Sequence, residues 1–402
     1  MRRALILLIS SVIVISACKR EVKCKKEIKP YVNFLNSDQK DAKDYILDLF
    51  EENDLVIICE REHRENTQYK FLKDLISDPR FIKNVGNLFT EVGMRSLNPE
   101  LNQFLHAENI PDSIRNAKII DFQRYGSYHA IWEKYNFYDM VNGIYEINQD
   151  LKESEKINFY PTDVVLNYDS LSVDYLKRFW NNKVVYRDRL MADYIIENFE
   201  SVKASDSNRK KALVIMNFRH SFNNNFKDAK GRGFDNVGRY LFDKYDGKIA
   251  NVLINPLGFA DRKSDVDILW APLQNGRWDA AFIASDKNNV GFDFKESPFG
   301  NDRFDFWSFT PHNYKYQDIF TGFVYYETPE NFQIITGVDG LVDDSFIKEY
   351  KERVDVWTKA VGNIFEYETN DSLIFEKYNK KNRYKKEGID SISLQINSWL
   401  IK

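Results

Sequence analysis

Short apolar runs without alternation recur through the first two thirds of this chain: "LVIIC" at 55–59, "NLFTEV" at 87–92, "KIIDF" at 118–122, "INFYPTD" at 157–163, "ALVIMNF" at 212–218 and "ANVLIN" at 250–255. A strand with one wet face alternates apolar and polar residues, so an uninterrupted run must be covered on both sides, as in a parallel sheet flanked by helices. Helical spacing fills the gaps. Tyr69, Leu72 and Leu75 follow one another at three-residue steps, and 129–153 and 171–200 read as helices or helix pairs. The expected class is α/β, with a mostly parallel central sheet.

Each run ends in or just before an acid, amide or imidazole: Glu60 and His63, Glu91, Asp121, Asp163, then Asn217 and His220. Ligands of open α/β sheets bind outside the carboxyl ends of the strands. Two of the chain's 5 histidines fall at these ends, which points to one shared site.

After Asn255 the pattern turns to glycines, aromatics and short stretches such as "RWDAAFIAS" (277–285), "VGFDFKESPFG" (290–300) and "FTGFVYYETP" (320–329), read as loops and strands. A helix is expected within 343–364, an exposed Lys/Asn-rich loop at 376–388 and a last strand in "SISLQINSWLI". The domains are therefore placed at 37–260 for the α/β unit and 261–402 for an aromatic-rich α+β extension packed on it.

Residues 1–18, "MRRALILLISSVIVISAC", pair two arginines with an apolar run and small residues before a cysteine, the pattern of a secretory signal. The Ile-Ser-Ala-Cys ending is similar to a bacterial lipobox, which makes Cys18 the expected lipidation point. Residues 19–36 read as a tether, and the chain as a lipoprotein of the cell envelope held at the outer membrane. A net charge of −4 carries no nucleic-acid footprint, and Cys24 and Cys59 indicate no disulfide framework.

The chemistry is concentrated in few residues. Glu60 and His63 stand three apart at a strand-to-helix turn, where the carboxylate can fix the imidazole tautomer and make it a better base. Glu-x-x-His is also a metal-ligand spacing. In "VVYRDRLMADYIIENF" (184–199), Arg187 shares the inward face with Leu190, Met191, Tyr194 and Ile195, and Asp188 lies at its edge. An inward arginine needs a partner or a polar cavity, so it reads equally as a structural clamp or as a substrate contact. His220 follows a buried strand with Asn217 three residues earlier, and Glu91, Asp163 or His63 are possible partners. No nucleophile elbow, dinucleotide fingerprint or phosphate loop is present. His106, His129 and His312 have no metal-like neighbours and read as structural or exposed.

In combination these motifs resemble the erythromycin-esterase-like family, in a clan with Tiki-type peptidases and ChaN-type haem-binding lipoproteins. "CEREHR" (59–64) is similar to its Gly-Glu-x-x-His-Gly motif, Glu91 to the glutamate of its next strand, Asp163 to a later acid, "RDRLMA" (187–192) to its Arg-Asp-x-x-Met-Ala helix and "NFRH" (217–220) to its His-Asn-x-His strand end. The resemblance spans residues 45–260. It implies a metal-independent hydrolase of ester-type bonds. His63 would activate water, Glu60 and Glu91 orient it, His220 stabilise the oxyanion, and Arg187, Asp188, Asp163 and Asn217 form the substrate cleft. Cys59 and Arg64 replace the motif's glycines and Asn217 its first histidine, which implies a changed substrate or a lost activity. The clan also implies two alternatives for a small-molecule site: a haem- or iron-binding lipoprotein, or a peptidase with a divalent metal on Glu60, His63, Glu91 and His220.

Overall fold

The computed structural model describes residues 23–224, 235–259, 270–307, 313–362, 365 and 367–401. Cys18, the rest of the leader and His312 lie outside them. The strands are β1 (Leu55–Glu60), β2 (Asn87–Met94), β3 (Asn158–Asp163), β4 (Ala212–Asn217), β5 (Ile249–Ile254), β6 (Leu257–Phe259), β7 (Trp270–Pro272), β8 (Asn289–Asp293), β9 (Gly322–Tyr326), β10 (Gln333–Thr336) and β11 (Asn382–Lys385). Seven form the central sheet in the order β3-β2-β4-β1-β5-β9-β8, and β6-β7 and β10-β11 make two small ribbons. Every pairing in the central sheet is parallel except β8 with β9. The architecture is α/β.

The apolar runs form strands because both faces of each are covered. In β1, Val56 and Ile58 enter a core shared with Leu72, Leu75, Leu101 and Ile144 from the helices on one side. Leu55 and Ile57 enter the opposite core, against Met191, Ile195 and Phe199 of the helix Arg187–Ala204 and Val237 and Leu241 of the helix Val237–Lys244. Order in the sheet follows from the crossovers. The chain runs β1, β2, β3 outward, returns to place β4 between β2 and β1, then crosses to β5, so its winding reverses between β4 and β1. At that reversal the strand ends Glu60 and Asn217 are register partners, where a doubly wound sheet opens a crevice.

The aromatic-rich C-terminal part is a packed core. Phe282, Trp278, Phe292, Phe299, Phe323 and Tyr325 are buried together with Leu253 of β5, and Phe282 stacks on Tyr325 at a centroid distance of 3.8 Å. The central sheet thus continues past residue 260 through β8 and β9. Glycines on these two strands admit Tyr45 of the helix Ala42–Glu52, whose hydroxyl donates to Asp293 at 2.7 Å. A Cβ on Gly322 would lie 1.8 Å from the Tyr45 oxygen, and one on Gly291 would lie 2.5 Å from its Cβ. Gly322→Ala should therefore cost roughly 1–3 kcal/mol of stability by overpacking, read as a lower denaturant midpoint at unchanged slope.

Several sequence expectations are corrected. Residues 118–122 lie in the helix Asp112–Tyr125, not in a strand: Ile119 and Phe122 are buried one turn apart and Asp121 faces solvent, away from the site. Residues 277–284 are helical. So are 389–397, where Ile392 and Ile396 point inward at helical spacing while Leu394 is 73% exposed. The stretch 376–388 is not a loop, since it ends one helix and supplies β11, and Lys386 is buried. The tether reading of 19–36 does not hold for its second half: Ile28, Tyr31 and Leu35 of the helical stretch 26–35 pack into the aromatic core.

Candidate active site

Four strand ends deliver side chains to the crevice. β1 ends in Glu60, which is fully buried, and the loop that follows brings His63 back so that its Nδ1 lies 2.7 Å from Glu60 Oε1. Tyr69, one turn into the next helix, donates to the other oxygen, Oε2, at 2.7 Å. The loop is held rigidly. Arg61 is buried and donates to Glu65 at 2.9 Å and to the Asn255 carbonyl at 2.8 Å, while Asn136 donates to the His63 carbonyl at 2.7 Å. The ribbon also grips it: Ile335 N–H donates to the Arg64 carbonyl at 3.0 Å and Asn66 N–H to the Gln333 carbonyl at 2.7 Å.

Glu91 of β2 is the centre of the charge network. Its Oε1 lies 3.9 Å from His63 Nε2, 3.5 Å from His220 Nε2 and 3.0 Å from Arg187 Nη2, and its Oε2 accepts the Asn217 backbone N–H at 2.8 Å. Arg187, first residue of its helix, also grips Asp163 at the end of β3 through Nε at 2.7 Å and Nη2 at 3.0 Å. Asp188 turns the other way, taking His220 Nδ1 on one oxygen and Arg219 on the other. Phe218 at φ +40° bends the chain sharply as it leaves β4, so that His220 points back into the sheet's end.

Electrostatics follow from burial and these partners. Burial lowers the pKa of His63, but Glu60 and then Glu91 outweigh it and raise it overall. Burial would raise Glu91; the His220, Arg187 and His63 charges overcome that and hold its carboxyl well below the ordinary carboxylate range. For Asp163 burial prevails over Arg187 and the pKa rises. Burial also pushes the Cys59 thiol far up, which with its place inside β1 removes it as a nucleophile.

A cavity of about 550 Å³ opens beside this network, lined by His63, Glu91, Asp163 and Arg187 on one side and by Tyr128, His129, Trp132, Phe365 and Tyr367 on the other. Eight of the sequence candidates, Glu60, His63, Glu91, Asp163, Arg187, Asp188, Asn217 and His220, thus come together, in two layers. His63, Glu91, Asp163 and Arg187 border the cavity; Glu60, Asp188, Asn217 and His220 stand behind them. His220 is accordingly placed to hold Glu91 rather than to meet an oxyanion. Asn217 is occupied structurally, its side chain donating to the Arg61 carbonyl at 2.6 Å. Arg64 pairs with Glu62, which also binds Lys386. Sequence reasoning missed the pairing of Asp188 with His220, the Tyr69 bond to Glu60, and the aromatic wall with His129. The wall comes from a loop and from residues near 365 that carry no strand-end signal.

The Arg187 guanidinium already sits among Glu91, Asp163 and His220, and a second cation there would meet it at short range. Among the described residues no group of three His, Cys, Asp or Glu is arranged to hold a metal ion.

No family model and no curated protein matches the chain. Solved structures similar to it include a mutant of the erythromycin esterase EreC in its open conformation, with a TM-score of 0.45 and 9% identity over 80% of this chain and 99% of that one. A succinoglycan biosynthesis protein gives 0.44 and 9% over 76% and 94%, and a protein from Bacillus cereus 0.40 and 12% over 76% and 94%. Side-chain geometry alone carries the functional reading.

Proposed function

We propose that the chain is a hydrolase of ester-type bonds in which His63 activates water without a metal, and that Cys18 is lipidated and anchors it to the outer membrane. The observation that carries the catalytic reading is the Glu60–His63 pair set at the wall of a cavity, with Nδ1 bound at 2.7 Å and Nε2 turned toward Glu91 at 3.9 Å. A buried carboxylate on Nδ1 fixes the tautomer that carries its proton there, so the lone pair lies on Nε2. That nitrogen takes a proton from water, the oxygen bonds to the ester carbonyl carbon, and the oxyanion forms. Arg187, held in place by Asp163 and Glu91, is the cation on the cavity wall that meets the developing charge. Collapse expels the alcohol, which recovers its proton from Nε2.

His220 and Asp188 act through Glu91 by fixing its charge and direction. Protein lacking the leader, assayed against a panel of neutral esters, should hydrolyse at least one of them, and treatment with a strong chelator should leave the rate unchanged. Loss of the rate on chelation, with recovery on adding zinc or manganese, would overturn the metal-independent reading.

A further inference from the structure

Across the cavity from His63 stands a second imidazole that the mechanism does not use. His129 is stacked on Tyr128 at 4.4 Å and 25°, meets the edge of Phe365 at 4.5 Å and 82°, and lies 5.7 Å from Trp132. Trp132 in turn packs on His63 at 5.4 Å, so one indole separates the two imidazoles. The rings fix His129 by their faces and edges and satisfy neither nitrogen: among the described residues its side chain makes no hydrogen bond, although its ring borders the cavity. His129 is half-buried, and a rigidly held ring without a protein hydrogen-bond partner at the edge of a cavity is available to a ligand.

The charges around it narrow the ligand. Arg187 is balanced by Asp163 and Glu91 and faces the developing oxyanion, Arg64 is paired with Glu62, and Lys134 with Glu133 at 2.9 Å, so these three cations carry no excess charge for an anionic ligand. Burial, with Lys134 and Arg187 adding to it, holds the His129 imidazole well below its ordinary pKa, so it stays neutral at physiological pH. The wall that it shares with Tyr128, Ile131, Trp132, Phe365 and Tyr367 is largely aromatic.

From this juxtaposition we infer that His129 is a substrate-positioning residue, a neutral hydrogen-bond partner for an uncharged ester whose ring stacks in the Tyr128–Trp132–Phe365 wall. The inference rests on the hydrolase reading for the word ester, but the contact itself is a binding property. It is tested with phenyl acetate and its para-carboxylated counterpart. The neutral ester should be preferred. His129→Phe, which keeps the stacking and removes the nitrogens, should raise KM for phenyl acetate on the order of tenfold with little change in kcat, the worth of one hydrogen bond. His129→Gln should recover part of that loss. A His129→Phe variant with the parent KM, or a preference for the carboxylated ester, would overturn the proposal.

To separate the two readings, phenyl acetate binding is also followed by tryptophan fluorescence in His63→Ala protein. Weaker binding on adding His129→Phe supports the contact even if no ester is turned over. Unaltered binding refutes it even if His63 proves to be the base.

Discussion

Replacing His63 with alanine should lower kcat/KM for any hydrolysed ester by roughly 100- to 10,000-fold, the usual worth of a positioned general base, and leave the fold intact. The ring touches Glu60, Glu91 and Trp132 and supports no strand, and its side chain is 19% exposed. The pH profile tests the role independently. Glu60 and Glu91 raise the His63 pKa against the opposing effect of burial, and a base works only when unprotonated, so the rate should climb with pH through that raised value and level off above it. Glu60→Gln removes the stronger of the two carboxylate effects. Its acid limb should move to lower pH, with a reduced plateau because the tautomer is no longer fixed. A rate that survives His63→Ala, or a limb that stays in place in Glu60→Gln, would leave His63 without its assigned role.

The second large effect concerns stability. Arg187→Met should destabilise the protein by about 3–5 kcal/mol, because Glu91 and Asp163 would stay buried with their shared cation removed. If the loss comes from uncompensated charge, adding Glu91→Gln and Asp163→Asn should restore much of it, which a double- and triple-mutant comparison by urea unfolding reads directly. The pH dependence has a definite sign. Glu91 is depressed in the folded protein, so its contribution is complete above the ordinary carboxylate pKa and is lost as pH falls toward the depressed value. His63 has the opposite sign: its raised pKa contributes below the unfolded value, and that contribution disappears as pH rises through the folded one. Arg187→Met should flatten or reverse the loss at acid pH, since Asp163 and Glu91 then have higher pKa values in the folded protein and protonation relieves their buried charge. An unchanged midpoint would mean that the guanidinium is a substrate contact without structural weight.

Much of the sheet was legible because five of the six apolar runs are covered on both faces, and such coverage leaves a mark that needs no knowledge of the partner. The sixth, 118–122, shows where that signal is ambiguous. Ile119 and Phe122 satisfy a helical face as well as a strand, and only the neighbouring Phe104 and Leu101 decide between them. The terminal "SISLQINSWLI" is another short apolar pattern whose type is set by what it packs on. In the site, residues at strand ends were readable one at a time. Their pairing was not, since Asp188 lies beside Arg187 in sequence yet turns to His220 across the crevice, a choice made by the direction of each side chain on the helix's first turn. His129 gave no signal because loops have no periodicity to betray which side chain faces inward.

The grip of the β10 ribbon on the loop after β1 means that the aim of His63 is written in two distant stretches of the chain. Backbone bonds from Asn66 and Ile335 and the buried pair of Glu62 with Lys386 fasten the loop to segments more than half the chain away. A protein cut short before residue 333 would still carry Glu60, His63 and Glu91 in its sequence. It would have the letters of the site but no fixed bearing for the imidazole, so truncation should silence the chemistry rather than merely weaken it.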